Sequence, residues 1–107
     1  MEATVENPDV RIGSQGGERA FEIHVDNSGT PAGFAVFIDS TDDDGVALRT
    51  FPHTVVRPEF GGRGLASQLI REAVEQSIAQ GFMLIPACSF VDRWLQKHPE
   101  FSENVRH

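Results

Sequence analysis

The spacing of apolar and polar positions changes character along the chain, and each change predicts an element. Residues 20–26 alternate, with Phe21, Ile23 and Val25 facing one way and Glu22, His24 and Asp26 the other, the period of a strand with one wet face. Asn27-Ser28-Gly29 is a turn signal. The run Gly33 to Ile38 sets Phe34, Val36 and Ile38 against Ala35 and Phe37, which predicts a strand covered on both sides. The polar stretch Ser40 to Gly45 predicts a hairpin tip. Val46 to Val56 predicts a long third strand, in which Pro52 removes a ladder donor and implies an edge, a bulge or a splayed pair.

After Arg57-Pro58 the period becomes helical. Leu65, Leu69, Ala73, Val74 and Ile78 recur on one face, Arg71, Glu72, Glu75 and Gln76 on the other, and Gly81 is placed to end the helix. Phe82 to Ile85 predicts a short buried strand stopped by Pro86. Phe90, Val91, Trp94 and Leu95 predict a last short helix ended by His98-Pro99. The expected fold is therefore α+β: a mainly antiparallel mixed sheet, a β-α-β unit and a short C-terminal helix. Ahead of it, residues 1–18, with Pro8 and Gly13-Ser14-Gln15-Gly16-Gly17, are expected to be a mobile segment carrying a short strand near Val10 to Ile12. Residues 19–107 are expected to form a single compact domain.

Composition narrows the function. With 107 residues, 39% hydrophobic and 23% charged, the chain has a globular balance. No apolar run is long enough to span a bilayer, and the first residues lack the pattern of a signal peptide, so a cytoplasmic location is expected. The single cysteine, Cys88, forbids an internal disulfide, and no metal site is expected. A net charge of −7 argues against nucleic acid as a partner. Residues 1–44 carry ten acids against two arginines, whereas residues 45–107 carry six acids against seven basic residues. A polyanionic ligand would favour the second half and a cationic one the first.

The informative segment joins the third strand to the long helix: Val56-Arg57-Pro58-Glu59-Phe60-Gly61-Gly62-Arg63-Gly64-Leu65-Ala66. Glycines at a helix start leave main-chain N–H groups unobstructed, and the helix dipole adds positive potential, which together suit a pyrophosphate. Arg63 and Arg57 can add charge-assisted contacts. The ATP-type loop requires Gly-Lys-Ser/Thr, and the chain has Gly64-Leu65-Ala66; a dinucleotide fold requires Gly-x-Gly-x-x-Gly and a parallel sheet from the start. Neither fits.

This segment resembles the acetyl-CoA motif of the GNAT acetyltransferases, with Gly62, Gly64 and Ala66 matching and Gly61 standing where Arg or Gln is usual. A small single-domain branch of that superfamily is closer still. Its pattern is matched by His53-Thr54-Val55-Val56, Gly62-Arg63-Gly64, Pro86-Ala87-Cys88-Ser89-Phe90-Val91 and His98-Pro99-Glu100-Phe101, in order over roughly residues 20–101.

The resemblance implies a three-layer α/β fold of GNAT type and a small acetyl-CoA-dependent N-acetyltransferase. The strands ending at Val56 and Ile85 would splay, with the pantetheine arm of acetyl-CoA pairing with Thr54, Val55 and Val56 as an added strand. The pyrophosphate would rest on Gly61, Gly62, Arg63, Gly64, Leu65 and Ala66, and an N–H near Val55 and Val56 would face the oxyanion. His53 is the candidate base, with a structural histidine as the plain alternative. Cys88 either takes the acetyl group or lines the thioester site, or is simply a small buried apolar residue. Residues 27–32 are too few for the early helices that build the acceptor pocket in larger members. An open site follows, suited to a protein lysine, an N-terminus or a polyamine. The alternative is a coenzyme A-binding or partner-binding module without efficient transfer.

Overall fold

The computed structural model describes residues 8–25, 29–61 and 64–106. Strands β1 (Asp9–Gln15) and β2 (Glu18–His24) form an antiparallel hairpin from Asp9↔His24 to Gln15↔Glu18. Its two-residue connection is Gly16-Gly17, with φ of 60° and 86°. Two successive positive φ values make a turn whose twist matches that of the strands, and glycine adopts them without strain. The segment expected to be mobile therefore holds a seven-residue strand. The glycine pair is the hairpin signal, and Val10 and Ile12 lie opposite Ile23 and Phe21, on the same face.

Two further expected strands are each divided. Gly33 to Ile38 separates into β3 (Gly33–Val36) and the start of β4 (Ile38–Thr41), with Ile38 45% exposed rather than covered. The third strand separates into β5 (Ala47–Thr50) and β6 (Thr54–Val56) around Phe51-Pro52-His53. One sheet runs β1-β2-β3-β6, antiparallel throughout. The other runs β4-β5-β7, in which β7 (Met83–Ile85) lies parallel to β5. Pro52, lacking an N–H, falls where the chain crosses between them. Phe37 and Phe51 mark the two crossings and pack with Phe21, at ring separations of 4.9 Å for Phe21–Phe37 and 6.5 Å for Phe37–Phe51.

Helix α1 (Leu65–Ala79) buries Leu65, Leu69, Ile70, Ala73, Val74 and Ser77. It ends as the sequence predicts: Gly81 has φ of 93°, its N–H bonds to Ile78 O at 2.9 Å, and Phe82 N–H bonds to Ser77 O at 3.0 Å. That pair of bonds satisfies carbonyls left over at the helix end. Helix α2 (Ser89–Gln96) buries Val91, Trp94 and Leu95 and joins α1 in one core. A 3₁₀ segment, Pro99–Asn104, then leads to Val105, which bridges Leu84.

Arg49 ties the second sheet to α1 from within the core. It is 2% exposed, and its guanidinium donates to both Asp39 carboxylate oxygens at 2.7 and 2.8 Å. Its remaining Nη1 reaches Ser77 Oγ at 3.1 Å and Gln80 Oε1 at 3.3 Å. Phe37 and Phe82 contact the guanidinium at 4.1 and 4.0 Å. A cation this deep is tolerated because it is paired and its donors are occupied.

Candidate active site

The site begins where β5 and β7 stop being neighbours. Their parallel pairing ends at Thr50↔Ile85, and Phe51 N–H still donates to Ile85 O at 3.0 Å. Beyond it β6 follows β3, while β7 turns away at Pro86: Ala87 N–H bonds back to Ile85 O at 3.0 Å, and Cys88 N–H takes Phe51 O at 2.8 Å. β6 and β7 thus part into different sheets, and the gap between the two strands is spanned by the contact of Cys88, at the start of α2, with Thr54.

The edge of β6 bordering that gap is the one turned away from β3. His53 O accepts from Val36 N at 3.1 Å and Arg57 N donates to Ala32 O at 2.8 Å, so His53, Val55 and Arg57 turn their main-chain groups toward β3. In an antiparallel pair the alternate residues face the other way. Thr54 and Val56 therefore present their N–H and C=O groups to the gap, whereas those of Val55 belong to the β3 ladder. Of the three residues expected along the pantetheine, Thr54 and Val56 turn their peptide groups away from β3 and Val55 does not. The Val55 side chain instead stands 41% exposed.

Gly33 allows this arrangement. It pairs with Val56, and a Cβ there would stand 2.7 Å from Val55 O and 3.0 Å from Val56 Cγ2. The close approach of β3 to β6 depends on its missing side chain.

Cys88 caps α2 from the far side of the gap, with its Sγ 3.8 Å from Thr54 Oγ1. Burial pushes the thiol pKa up. The N–H groups of Val91 and Phe90, the Thr54 hydroxyl and the Thr54 N–H together outweigh it, and the thiol lies below its ordinary value of 9.0. The Thr54 N–H among these donors is one that alternation turns into the gap. The place of Cys88 ahead of a short helix is legible in the sequence; Thr54 as its partner is not.

His53 is placed differently. It is exposed, and as the neighbour of Thr54 on an extended segment it points to the opposite face. The structure thus brings Cys88 to Thr54 and leaves His53 across the strand.

The start of α1 adjoins the gap. Gly64 is its N-cap in the left-handed region, with φ of 73°, and supplies no side-chain cap. No acidic residue occupies the first turn, so the N–H groups of Leu65, Ala66 and Ser67 retain their positive potential. The 3₁₀ turn Pro58–Phe60 precedes Gly61, whose N–H bonds to Pro58 O at 3.1 Å; that N–H is spent locally. Arg57 Nε donates to Pro31 O at 2.7 Å. Gly62 and Arg63 lie outside the described residues. The parts described fit a ligand with peptide-like amides at one end and an anion near the helix start, the donor pattern coenzyme A requires.

The first helix of the described residues comes after β6, so no early helix pair is present among them, and no helix there is long and apolar enough to cross a membrane. The described residues thus form a mixed sheet that splits at a β-α-β unit, with a helix start lacking a side-chain cap beside the split. The family model of the GCN5-related N-acetyltransferases matches residues 20–105, and the chain belongs to that family. The fold is similar to the crystal structure of ribosomal-protein-alanine N-acetyltransferase from Brucella melitensis biovar Abortus 2308. The TM-score is 0.59 and the identity 20%, over 83% of this chain and 62% of that one. This chain thus spans less than two thirds of that protein's length. No curated protein matches it.

Proposed function

We propose that the chain is a small acetyl-CoA-dependent N-acetyltransferase acting on an amine: a protein lysine, an N-terminus or a polyamine. The reading rests above all on the edge of β6 turned away from β3, where Thr54 meets the Cys88 sulfur with Oγ1 and Sγ 3.8 Å apart. Thr54 and Val56 would pair with the pantetheine amides, and Leu65 and Ala66 N–H groups, with Gly62, Arg63 and Gly64, would hold the pyrophosphate. When bound, acetyl-CoA supplies an acyl group activated as a thioester.

The remaining work falls to the chain. Val56 N–H, turned into the gap, is the donor for charge developing on the acyl oxygen, a role expected of Val55 and Val56 together. His53, on the opposite face, accepts the proton of the arriving amine at a ring nitrogen. Cys88 stands on the coenzyme side, where its sulfur would line the thioester site. The acidic first half draws in cationic acceptors. A single free cysteine suits the reducing cytoplasm.

A second reading, a coenzyme A-binding module without efficient turnover, draws support from two observations. The His53 ring has no hydrogen-bond partner to orient it among the described residues, and Gly61 replaces the usual Arg or Gln. Turnover assays with acetyl-CoA on lysine peptides, N-terminal peptides and polyamines separate the two. Release of free coenzyme A with one amine class, reduced at least tenfold in His53→Ala, is expected. Acetyl-CoA binding without any acceptor-dependent release would favour the module.

A further inference from the structure

A groove of about 410 Å³ runs between the first turn of α1 and one face of α2, lined by Ser67, Phe90, Arg93, Trp94, Lys97 and His98. We infer that it holds the 3′-phosphorylated nucleotide end of coenzyme A, with Arg93 and Lys97 as the phosphate ligands; this rests on the reading of the chain as a coenzyme A user.

Charge points to the occupant. The chain has a net charge of −7, and Lys97 is its only lysine, yet this groove has two permanent cations and no carboxylate in its lining. Arg93 and Lys97 are four residues apart on α2, so they project from the same side of the helix. The α2 carboxylate, Asp92, lines a different groove with Leu95, Gln96, Pro99, Ser102 and Val105, and accepts from Gln96 Nε2 at 3.0 Å. An anion is favoured here and a cation is not.

Shape and hydrogen bonding agree. From Phe90 to Lys97 the helix rises about 10 Å, room for a nucleoside with its phosphate. The His98 ring lies on Trp94 at 3.7 Å and 16°, a flat wall of the kind a nucleobase packs against. His98 Nδ1 is 2.7 Å from Trp94 O; a carbonyl only accepts, so Nδ1 carries the hydrogen and Nε2 is left for a ligand. Trp94 Nε1 donates to Ser67 Oγ at 2.9 Å, which leaves the Ser67 hydroxyl its own proton to give. Ser67 also belongs to the turn of α1 assigned to the pyrophosphate, so a ligand held there continues into the groove. A second phosphate further along α2 meets Arg93 and Lys97.

Calorimetric titration with coenzyme A and with 3′-dephospho-coenzyme A tests this, on the wild-type chain and on Arg93→Gln/Lys97→Gln. Both side chains are exposed, so the variant keeps its fold, which circular dichroism checks. The wild type is expected to prefer coenzyme A by roughly tenfold or more, a preference that shrinks with added salt. The double variant is expected to bind both forms alike, with its affinity for the dephospho form unchanged. Equal affinity of the wild type for both forms, or a preference that survives in the variant, overturns the inference while leaving coenzyme A use intact. Binding of neither form refutes the underlying reading and the inference with it.

Discussion

Gly33→Ala probes the site through the strand behind it. A Cβ at this position lies 2.7 Å from Val55 O, about 0.7 Å inside ordinary contact, and 3.2 Å from Val56 Cα, both of them main-chain atoms. Neither is the flexible end of a side chain, so β6 itself must shift toward the gap. Overpacking of this kind costs about 1–3 kcal/mol. For a domain of this size each kcal/mol lowers Tm by about 4–8 °C, so a fall of roughly 10 °C is expected in differential scanning calorimetry. The shift also moves the Thr54 and Val56 edge. Loss of one main-chain hydrogen bond to the coenzyme weakens acetyl-CoA binding by roughly tenfold, read by titration. Gly29→Ala is the control: a Cβ there meets nothing within 4 Å. A Gly33→Ala chain with wild-type Tm refutes the packing argument. A lowered Tm with unchanged affinity refutes the role of the β6 edge in holding the coenzyme.

Other perturbations have distinct readouts. Arg49→Met leaves Asp39 without its main partner and should cost about 3 kcal/mol, near the low end for a broken buried pair because Asp39 is 28% exposed and Arg19 stands 3.6 Å away. A Tm within a few degrees of wild type would contradict it. The Cys88 thiol lies below its ordinary value, so its alkylation by iodoacetamide should reach half its maximal rate below pH 9.0, and Thr54→Val should move that midpoint up. By linkage, the thiolate preference of the fold adds stability above the unfolded value and loses it as pH falls through the folded one. The Arg106 guanidinium and the Val46 N–H hold the Asp42 carboxyl below its usual value, against a smaller opposing effect of burial. Its contribution is present above the ordinary carboxylate range and disappears as pH falls through the lowered value; Asp42→Asn should speed amide exchange at Val46 and Arg106.

Local periodicity made α1, β2 and the final helix legible, because each is decided by which side chains share a face. Gly81 ended α1 for a reason equally local: only a residue at ease with positive φ closes that helix end. The hairpin of β1 was legible only as a short strand near Val10 to Ile12, because its outer strand is mostly exposed and its hydrophobic signal is weak. The splitting of Val46 to Val56 was visible only as Pro52, since whether a proline bends a strand or moves it to another sheet depends on Phe37 and Phe51 packing at the crossing. At the site, Cys88 and the β6 segment could be named from motif order. Their relation could not: that Thr54 faces Cys88 while His53 turns away follows from the register of β6 on β3. Gly33 and the groove residues Arg93 and Lys97 were likewise silent, because close approach and shared lining are properties of the packed chain.

Alkylation of the lone cysteine gives the most direct test of a coenzyme held in the gap between β6 and β7. The rate of Cys88 modification by iodoacetamide, followed by intact-mass spectrometry, should fall at least tenfold at acetyl-CoA concentrations that saturate binding. Those same concentrations should raise the stability of the chain, by about 2.7 kcal/mol at a hundred times Kd. Stabilisation by acetyl-CoA with Cys88 alkylated as fast as before would put the coenzyme somewhere else and contradict the account.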